Sequence, residues 1–297
     1  VIAYSTRERT VERMDHGDHL CLAFSDEAEQ RRVVTAYLLG GLERRERVMY
    51  FADQSTPGQV LTWLREAGTD PAAALDSGQL TVTTADASYL ADGPFDADAM
   101  VATLQKEVSD SLAAGYTGFR VSGEMGWALR DIPGAERLGE YETKVNDVFA
   151  GRPASAVCQY DARRFDAGSM DAFDRRHPGI VAQQPLHNSS SLQLVPSLRD
   201  GRQSLRVIGD VDYHCAEALS GALETVCDWP GDITVDMSAL QFIDLAGVRA
   251  LVRTAERLPE GRRLHVVDLD PMLSNVIHVI GWDETPALTV TARGVSA

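Results

Sequence analysis

Short apolar runs alternate with longer segments of helical period along most of the chain, and the alternation lapses once, near residue 185. In the first stretch HLCLAF (19–24), RVMYFA (47–52), QLTVTTA (79–85), GFRVSG (118–123) and SAVCQYD (155–161) read as strands. Residues 27–45 place Val33, Val34, Tyr37, Leu38 and Leu42 on one helical face. Pro57 suits the first turn of a helix that Gly68 can close. Further helices are expected over Asp98–Ala114 and Gly134–Phe149. After the lapse, SLRVIGD (204–210), DITVDMS (232–238) and RLHVVDL (263–269) read as strands. Helices are expected over 213–227, over 246–258, and from Pro271 through MLSNVIHVIG to Gly281. Strand and helix in regular alternation predict an α/β chain, with a mostly parallel N-terminal sheet covered by helices on both faces and a smaller C-terminal β/α domain. AQQPLHNSSS (182–191) is polar and aperiodic, so the expected division is a domain over 14–182, a linker over 183–191 and a smaller domain over 192–297.

Composition narrows the function classes. Among 297 residues, 44 are acidic and 28 basic, a formal charge of −16, which disfavours direct nucleic-acid contact and anionic membrane surfaces. An apolar content of 44% suffices for packed cores and excludes disorder as the main state. The sequence has no apolar run of membrane-spanning length and no apolar leader at its start, so a cytoplasmic location is expected. Four cysteines, Cys21, Cys158, Cys215 and Cys227, make no disulfide framework in a chain this long and fit a reducing compartment. Nearly all the positive charge is Arg, with Lys106 and Lys144 the exceptions, a bias of GC-rich bacterial genomes.

IGDVDYHCAEAL and DITVDMSALQFIDLAGVRALV resemble the opening and the signature of STAS domains, the fold of bacterial anti-sigma-factor antagonists. The matching positions are Asp236, Ser238, Phe242, Asp244 and Gly247. The resemblance implies a partner-binding surface at Asp244, Leu245, Ala246, Gly247 and Ser238, and a partner of the anti-sigma-factor, kinase type. In phospho-regulated members a Ser or Thr follows the Asp; here Leu245 and Ala246 carry no hydroxyl, so that switch cannot operate. Ser238 matches the residue expected to close the strand, and Asp244 suits a helix N-cap.

The first stretch resembles the MEDS domain, a sensory module of methanogen and methylotroph regulators, through GDHLCLAF (17–24), EAEQRRVVTAYLLGGLERRERVMYFAD (27–53), GFRVSGEMGWAL (118–129), VCQYDARRF (157–165) and HPGIVA (177–182). That resemblance implies a degenerate RecA-like fold. A nucleotide-binding member would carry G-x-x-x-x-G-K-[ST] after the first strand. AFSDEAEQRR stands there instead, without Gly or Lys and with Asp26, Glu27 and Glu29 where phosphates would lie, so no nucleotide hydrolysis is expected.

Ligands of open α/β sheets sit beyond the carboxyl ends of the strands. This rule singles out Asp53, Ser122, Glu124, Trp127, Gln159, Tyr160 and Asp161, with Glu124 and Asp161 as polar anchors and Trp127 and Tyr160 as walls. His16, His19 and Cys21 form an H-x-x-H-x-C run, and His19 and Cys21 share a strand face. They fall short of the three or four convergent donors a metal needs, which Cys158 joins only if the fold brings it near, so neither metal nor haem is expected. The sequence thus predicts a non-catalytic signalling and transcription-regulatory protein, in which a sensory domain for a small ligand controls a STAS-like domain. Two alternatives stay open: an enzyme or cofactor carrier using Glu124 and a His, or a non-sensing scaffold in a sigma-control assembly, in which the chain self-associates.

Overall fold

The computed structural model describes residues 7–91, 93–200, 202–279, 281–282 and 285–294. The chain divides into two compact units between Ala182 and Gln183. In the N-terminal unit the strands are β1 (Glu8–Arg9), β2 (His19–Phe24), β3 (Arg47–Ala52), β4 (Leu80–Thr84), β5 (Phe119–Glu124), β6 (Ala154–Asp161) and β7 (Gly179–Val181). The helices are α1 (Glu27–Glu43), α2 (Pro57–Glu66), α3 (Ala72–Asp76), α4 (Ala97–Ala113), α5 (Leu138–Phe149) and α6 (Ala167–Arg176). The sheet runs β1-β7-β2-β6-β5-β3-β4, and the pairings are parallel, as the alternation of elements requires.

Because strand side chains alternate between faces, β2 sends Leu20, Leu22 and Phe24 one way and His19 and Cys21 the other. The first set packs with Val48, Tyr50 and Leu80 against Val34, Tyr37 and Leu38 of α1 and Val60 and Leu64 of α2. On the opposite face α5 lies between its neighbours α4 and α6, and also meets β6. The helix starts follow the sequence. Asp26 caps α1 through Ala28 N, and Thr56 with Gln59 forms a reciprocal capping box ahead of Pro57.

The C-terminal unit holds β8 (His187–Asn188), β9 (Leu192–Arg199), β10 (Arg202–Val211), α7 (Ala216–Val226), β11 (Ile233–Ile243), α8 (Leu245–Arg257), β12 (Leu264–Leu269), α9 (Pro271–Val279) and β13 (Leu288–Ala292). Its sheet is mixed. β10 to β13 are parallel, while β8 and β9 add antiparallel strands at one end of the order β13-β12-β11-β10-β9-β8. The segment expected as a linker therefore contains β8, which pairs His187 with Leu194 and Asn188 with Gln193. β9 was not legible because Pro196 interrupts it. Pro196 faces Leu205 of β10 but lies beyond the short β8, so no ladder partner on that side needs its missing N–H. Leu205, Val207, Ile233, Val235 and Leu264 form an apolar core with Leu219, Leu223, Leu251 and Ala255. The tight point of the IGDVDY motif is Gly209. Its φ is +97°, and a Cβ there would lie 2.1 Å from the Ser191 carbonyl oxygen. Ile280, within the helix expected to end at Gly281, lies outside the described residues.

Candidate functional site

Two places carry chemistry, one buried in the N-terminal unit and one exposed on the C-terminal unit. The buried one lies between the central strands β2 and β6 and the helices α5 and α6. His19 points from β2 toward the helices, and Cys158 does so from β6, where it pairs in register with Cys21. Glu142 projects from α5 within the buried face of Leu138, Tyr141 and Val145. His177 ends α6 in extended conformation (φ −86°, ψ 139°), which the following Pro178 favours. The donor atoms of His19, Glu142, Cys158 and His177 lie within 4.8 Å of one another, and all four residues are buried. His19 Nε2 is 3.3 Å and His177 Nε2 is 3.2 Å from Glu142 Oε2, and Cys158 Sγ is 3.2 Å from His19 Nε2.

The surroundings fix these donors. Asn146 gives its amide N–H to the Arg176 carbonyl (2.9 Å), which turns its oxygen to His19 Nδ1 (2.7 Å), so Nδ1 carries the proton. His177 Nδ1–H donates to the Phe173 carbonyl at 2.7 Å. The Tyr160 hydroxyl donates to Glu142 Oε1 at 2.5 Å. Burial lowers the pKa of His19, and neighbouring His177 lowers it further. Burial raises that of Cys158, with the Glu142 charge adding to it. For Glu142 burial pushes upward, but the two imidazoles when protonated, His177 foremost, outweigh it and hold the carboxyl well below its usual range. Oε2 of Glu142 and Nε2 of His177 make no hydrogen bond.

The residues selected at the carboxyl ends of the strands separate in the structure. Tyr160 belongs to the buried cluster. Glu124 Oε2 accepts the backbone N–H groups of Asp53, Gln54 and Ser55 (2.9, 2.5 and 2.9 Å), and its Oε1 accepts the Tyr50 hydroxyl at 2.6 Å. The loop after β3 forms an anion cradle, and the chain fills it with its own carboxylate. Ser122 and Gln159 extend that network with Gln30. Trp127 is fully buried and stacks on Tyr89 at 5.2 Å, with Phe95 at 4.6 Å, so it is a wall of the core and not of an open cleft. Asp161 is held bidentate by Arg163 (both contacts 2.8 Å). Burial alone would raise its pKa, but the Arg163 hydrogen bonds turn the shift downward. Of the H-x-x-H-x-C run only His19 enters the cluster. His16 contacts Glu46 at 2.9 Å, and Cys21 stands beside the four donors, its thiol pKa pushed up by burial. The judgement that too few donors converge is corrected in its premise: the fold adds Glu142 and His177. A carboxylate within the apolar face of α5 is the sequence signal that marks the first; His177 opens the HPGIVA stretch, but only the fold shows that it joins the cluster.

On the C-terminal unit, Asp244 caps α8 by accepting Ala246 N (2.8 Å) and Gly247 N (3.0 Å). Asp212 caps the turn before α7 through His214 N and Cys215 N, and Asp270 receives Met272 N at the start of α9. All three turns follow parallel strands, so they lie at one end of the sheet. Within two residues after each cap stands an exposed apolar residue: Tyr213 (69% exposed), Leu245 (56%) and Met272 (72%), with Phe242 (49%) two residues before Asp244. Gly247 is buried; a Cβ there would meet Val211 Cγ1 at 2.6 Å and Ile243 Cγ1 at 2.7 Å, so it sets the approach of α8 to the sheet. Ala246 is half-buried beside it. Ser238 does not close its strand. β11 continues to Ile243, which puts Ser238 six residues, on the order of 20 Å of extended chain, from Asp244.

The described residues thus form a parallel sheet with a buried donor cluster in one unit and a mixed sheet with an apolar, acid-capped end in the other. The chain belongs to the MEDS family, the "MEthanogen/methylotroph, DcmR Sensory domain", whose description matches residues 18–178, more than half of its length. Residues 196–290 match the family described as "Mlab, STAS domain". It is similar to the anti-sigma-F factor antagonist RsfB of Mycobacterium tuberculosis, 29% identical over 96 residues that span 32% of this chain and 79% of that one. It is also similar to the transcriptional repressor DcmR of Methylorubrum extorquens, 27% identical over 158 residues, 52% of this chain and 57% of that repressor. Among solved structures it is similar to an anti-sigma factor antagonist from Mycobacterium paratuberculosis, at 30% identity over 34% of this chain and 87% of the other, TM-score 0.31. A KaiC-like protein of Pyrococcus horikoshii is matched at 10% identity over 64% of this chain and 89% of the other, TM-score 0.43. A sensory unit and a STAS unit in one chain make this a regulatory signalling protein. Among the described residues no helix is long and apolar enough to cross a membrane.

Proposed function

We propose that the C-terminal unit docks a sigma-controlling protein of the anti-sigma-factor class, and that the N-terminal unit senses a small ligand and sets whether docking occurs. The observation that carries this reading is the sheet end formed by Tyr213, Phe242, Leu245 and Met272. Exposed apolar residues of this size on one end of a small sheet suit protein contact. The rim of Asp212, Asp244 and Asp270 favours a partner with basic residues around an apolar pocket, which also speeds encounter. With Leu245 in the position of a phosphorylatable residue, control passes to the sensory unit, and a ligand exerts it only by binding one state better than another. The chain acts without catalysis, in the cytoplasm. The region where an ATPase cradles phosphate instead holds the Asp26 cap and the buried Glu29.

The test is titration calorimetry of the full chain against the purified anti-sigma factors of its source organism. Leu245→Asp and Tyr213→Asp place charge in the centre of the face and are expected to weaken binding at least tenfold, while the solvent-facing Arg249→Asp on α8 has a smaller effect. Wild-type affinity in both face variants overturns this docking site.

A further inference from the structure

We propose that His19 Nε2, His177 Nε2, Cys158 Sγ and Glu142 Oε2 bind a divalent first-row transition-metal ion of the zinc class in the N-terminal unit. Four observations meet here. The first is convergence: four donors from β2, α5, β6 and α6 place their ligand atoms within 4.8 Å of one another. Zinc bonds of about 2.0–2.1 Å to nitrogen and oxygen and about 2.3 Å to sulfur give tetrahedral edges of roughly 3.3–3.6 Å. Separations of 3.2, 3.2 and 3.3 Å are already close to that, and the remaining pairs need only close by about 1 Å.

The second observation is orientation. Metal-binding imidazoles characteristically donate their other N–H to a carbonyl or carboxylate, which fixes the tautomer and aims the lone pair. His19 does this toward Asn146 and His177 toward the Phe173 carbonyl, so both Nε2 lone pairs face inward. Glu142 is held in the same way: Tyr160 occupies Oε1 and leaves Oε2 to the centre.

The third is that the centre contains acceptors and little to satisfy them. With both imidazoles neutral, two lone pairs and a carboxylate oxygen converge and the proton facing them is that of the Cys158 thiol; a bound dication would take the place of the imidazolium proton that otherwise answers Glu142 Oε2, 3.2 Å from His177 Nε2 and 3.3 Å from His19 Nε2. Glu142 Oε2 and His177 Nε2 are fully buried without a hydrogen bond, a state buried polar atoms rarely occupy unless an ion or water completes it. The fourth is charge. A dication with one thiolate and one carboxylate is neutral overall, which a buried site tolerates far better than a bare charge. Nitrogen and sulfur donors select a borderline transition ion over calcium or magnesium. The ion would tie four elements together, including α6, whose end leads into β7. This site is independent of the docking face, so the failure of either leaves the other standing.

The experiment uses the full chain, unfolded, stripped with chelator and refolded with Co²⁺ or Zn²⁺, because a closed site loads as it folds. The expected result is one ion per chain by elemental analysis, with the visible absorption of tetrahedral Co²⁺ and a near-ultraviolet thiolate-to-Co²⁺ band. Cys158→Ser is expected to abolish the thiolate band, and His177→Gln to abolish the one-per-chain stoichiometry. Asn146→Ala removes only the orienting oxygen and is expected to weaken the ion about 10- to 100-fold. Wild-type chain that refolds, judged by circular dichroism, but takes up well under one ion overturns the proposal whatever the variants do. So does a full ion load that persists in folded His177→Gln and Cys158→Ser chains.

Discussion

The two units use the same strand–helix alternation and place their chemistry oppositely. In the N-terminal unit the interior holds His19, Glu46, Arg120, Glu124, Glu142, Gln159 and His177, each buried and almost all hydrogen-bonded. Among the described residues of the C-terminal unit the buried polar side chains are Gln193 and Ser204, and Leu186, Tyr213, Phe242, Leu245, Met272, Val276 and Val279 are exposed and apolar, against Leu112 and Leu129 on the N-terminal unit. Burying charge is expensive unless each group is matched, so a unit that does it repeatedly is built around something small and internal. Exposing apolar surface is expensive unless something covers it, so the other unit is built for a protein surface. Under the proposed function, the contrast places the sensory role inward and the docking role outward.

Breaking the pair Arg120–Glu46 attacks the comparison most strongly. The guanidinium meets Glu46 Oε2 at 2.6 Å, donates to the Tyr37 carbonyl at 2.8 Å and lies 4.6 Å from the Tyr37 ring centre. Arg120→Ala leaves a buried carboxylate with only His16 and is expected to lose about 3–5 kcal/mol in urea unfolding. Replacing both partners with apolar residues recovers much of that. A small loss in the single variant contradicts the idea that this interior depends on matched charge.

Glu29 gives the next effect. Burial raises its carboxyl pKa to about 7, with Arg32 opposing and Asp26 adding to the shift. A folded-state value above the unfolded one means the native chain holds the proton more tightly. Stability is therefore lost as pH rises from about 4.5, and the loss is complete above about pH 7. It amounts to at most about 3 kcal/mol. Glu29→Gln cannot ionise, so thermal melts should show it gaining on the wild type between pH 5 and pH 8. Parallel pH profiles for the two proteins refute that assignment.

The smallest effect sharpens the outward half of the comparison. Asp244→Ala removes a helix cap and should lower stability by about 1 kcal/mol. Asp244→Asn keeps a capping oxygen and should restore most of it. If Asn also restores partner affinity, Asp244 acts only as a cap; if stability returns and affinity does not, its charge belongs to the docking rim.

Particular residues show how far the sequence could be read. Short apolar runs located β2, β3, β4, β5 and β6, and Pro57 and Gly68 bounded α2. Periodicity missed α6, whose apolar signal reduces to Met170 and Phe173 in ten residues, and with it the placement of His177. Motif reading placed Asp244 and Leu245 correctly at the start of α8 but put Ser238 at a strand end, because hydrophobic alternation does not reveal that pairing with β10 carries β11 on to Ile243.

The sequence by itself determined the two-unit α/β plan, the loss of a phosphate loop, the absence of a hydroxyl after Asp244 and both family resemblances. These are properties of local order, written in period, caps and spacing. Only the tertiary structure decided that His19 meets Glu142, Cys158 and His177 across up to 158 residues of chain, that Glu124 fills its own cradle, and that three capped turns share one sheet end. Those facts depend on strand order and helix packing, which bring distant residues together through the burial of apolar faces that are chemically interchangeable in sequence.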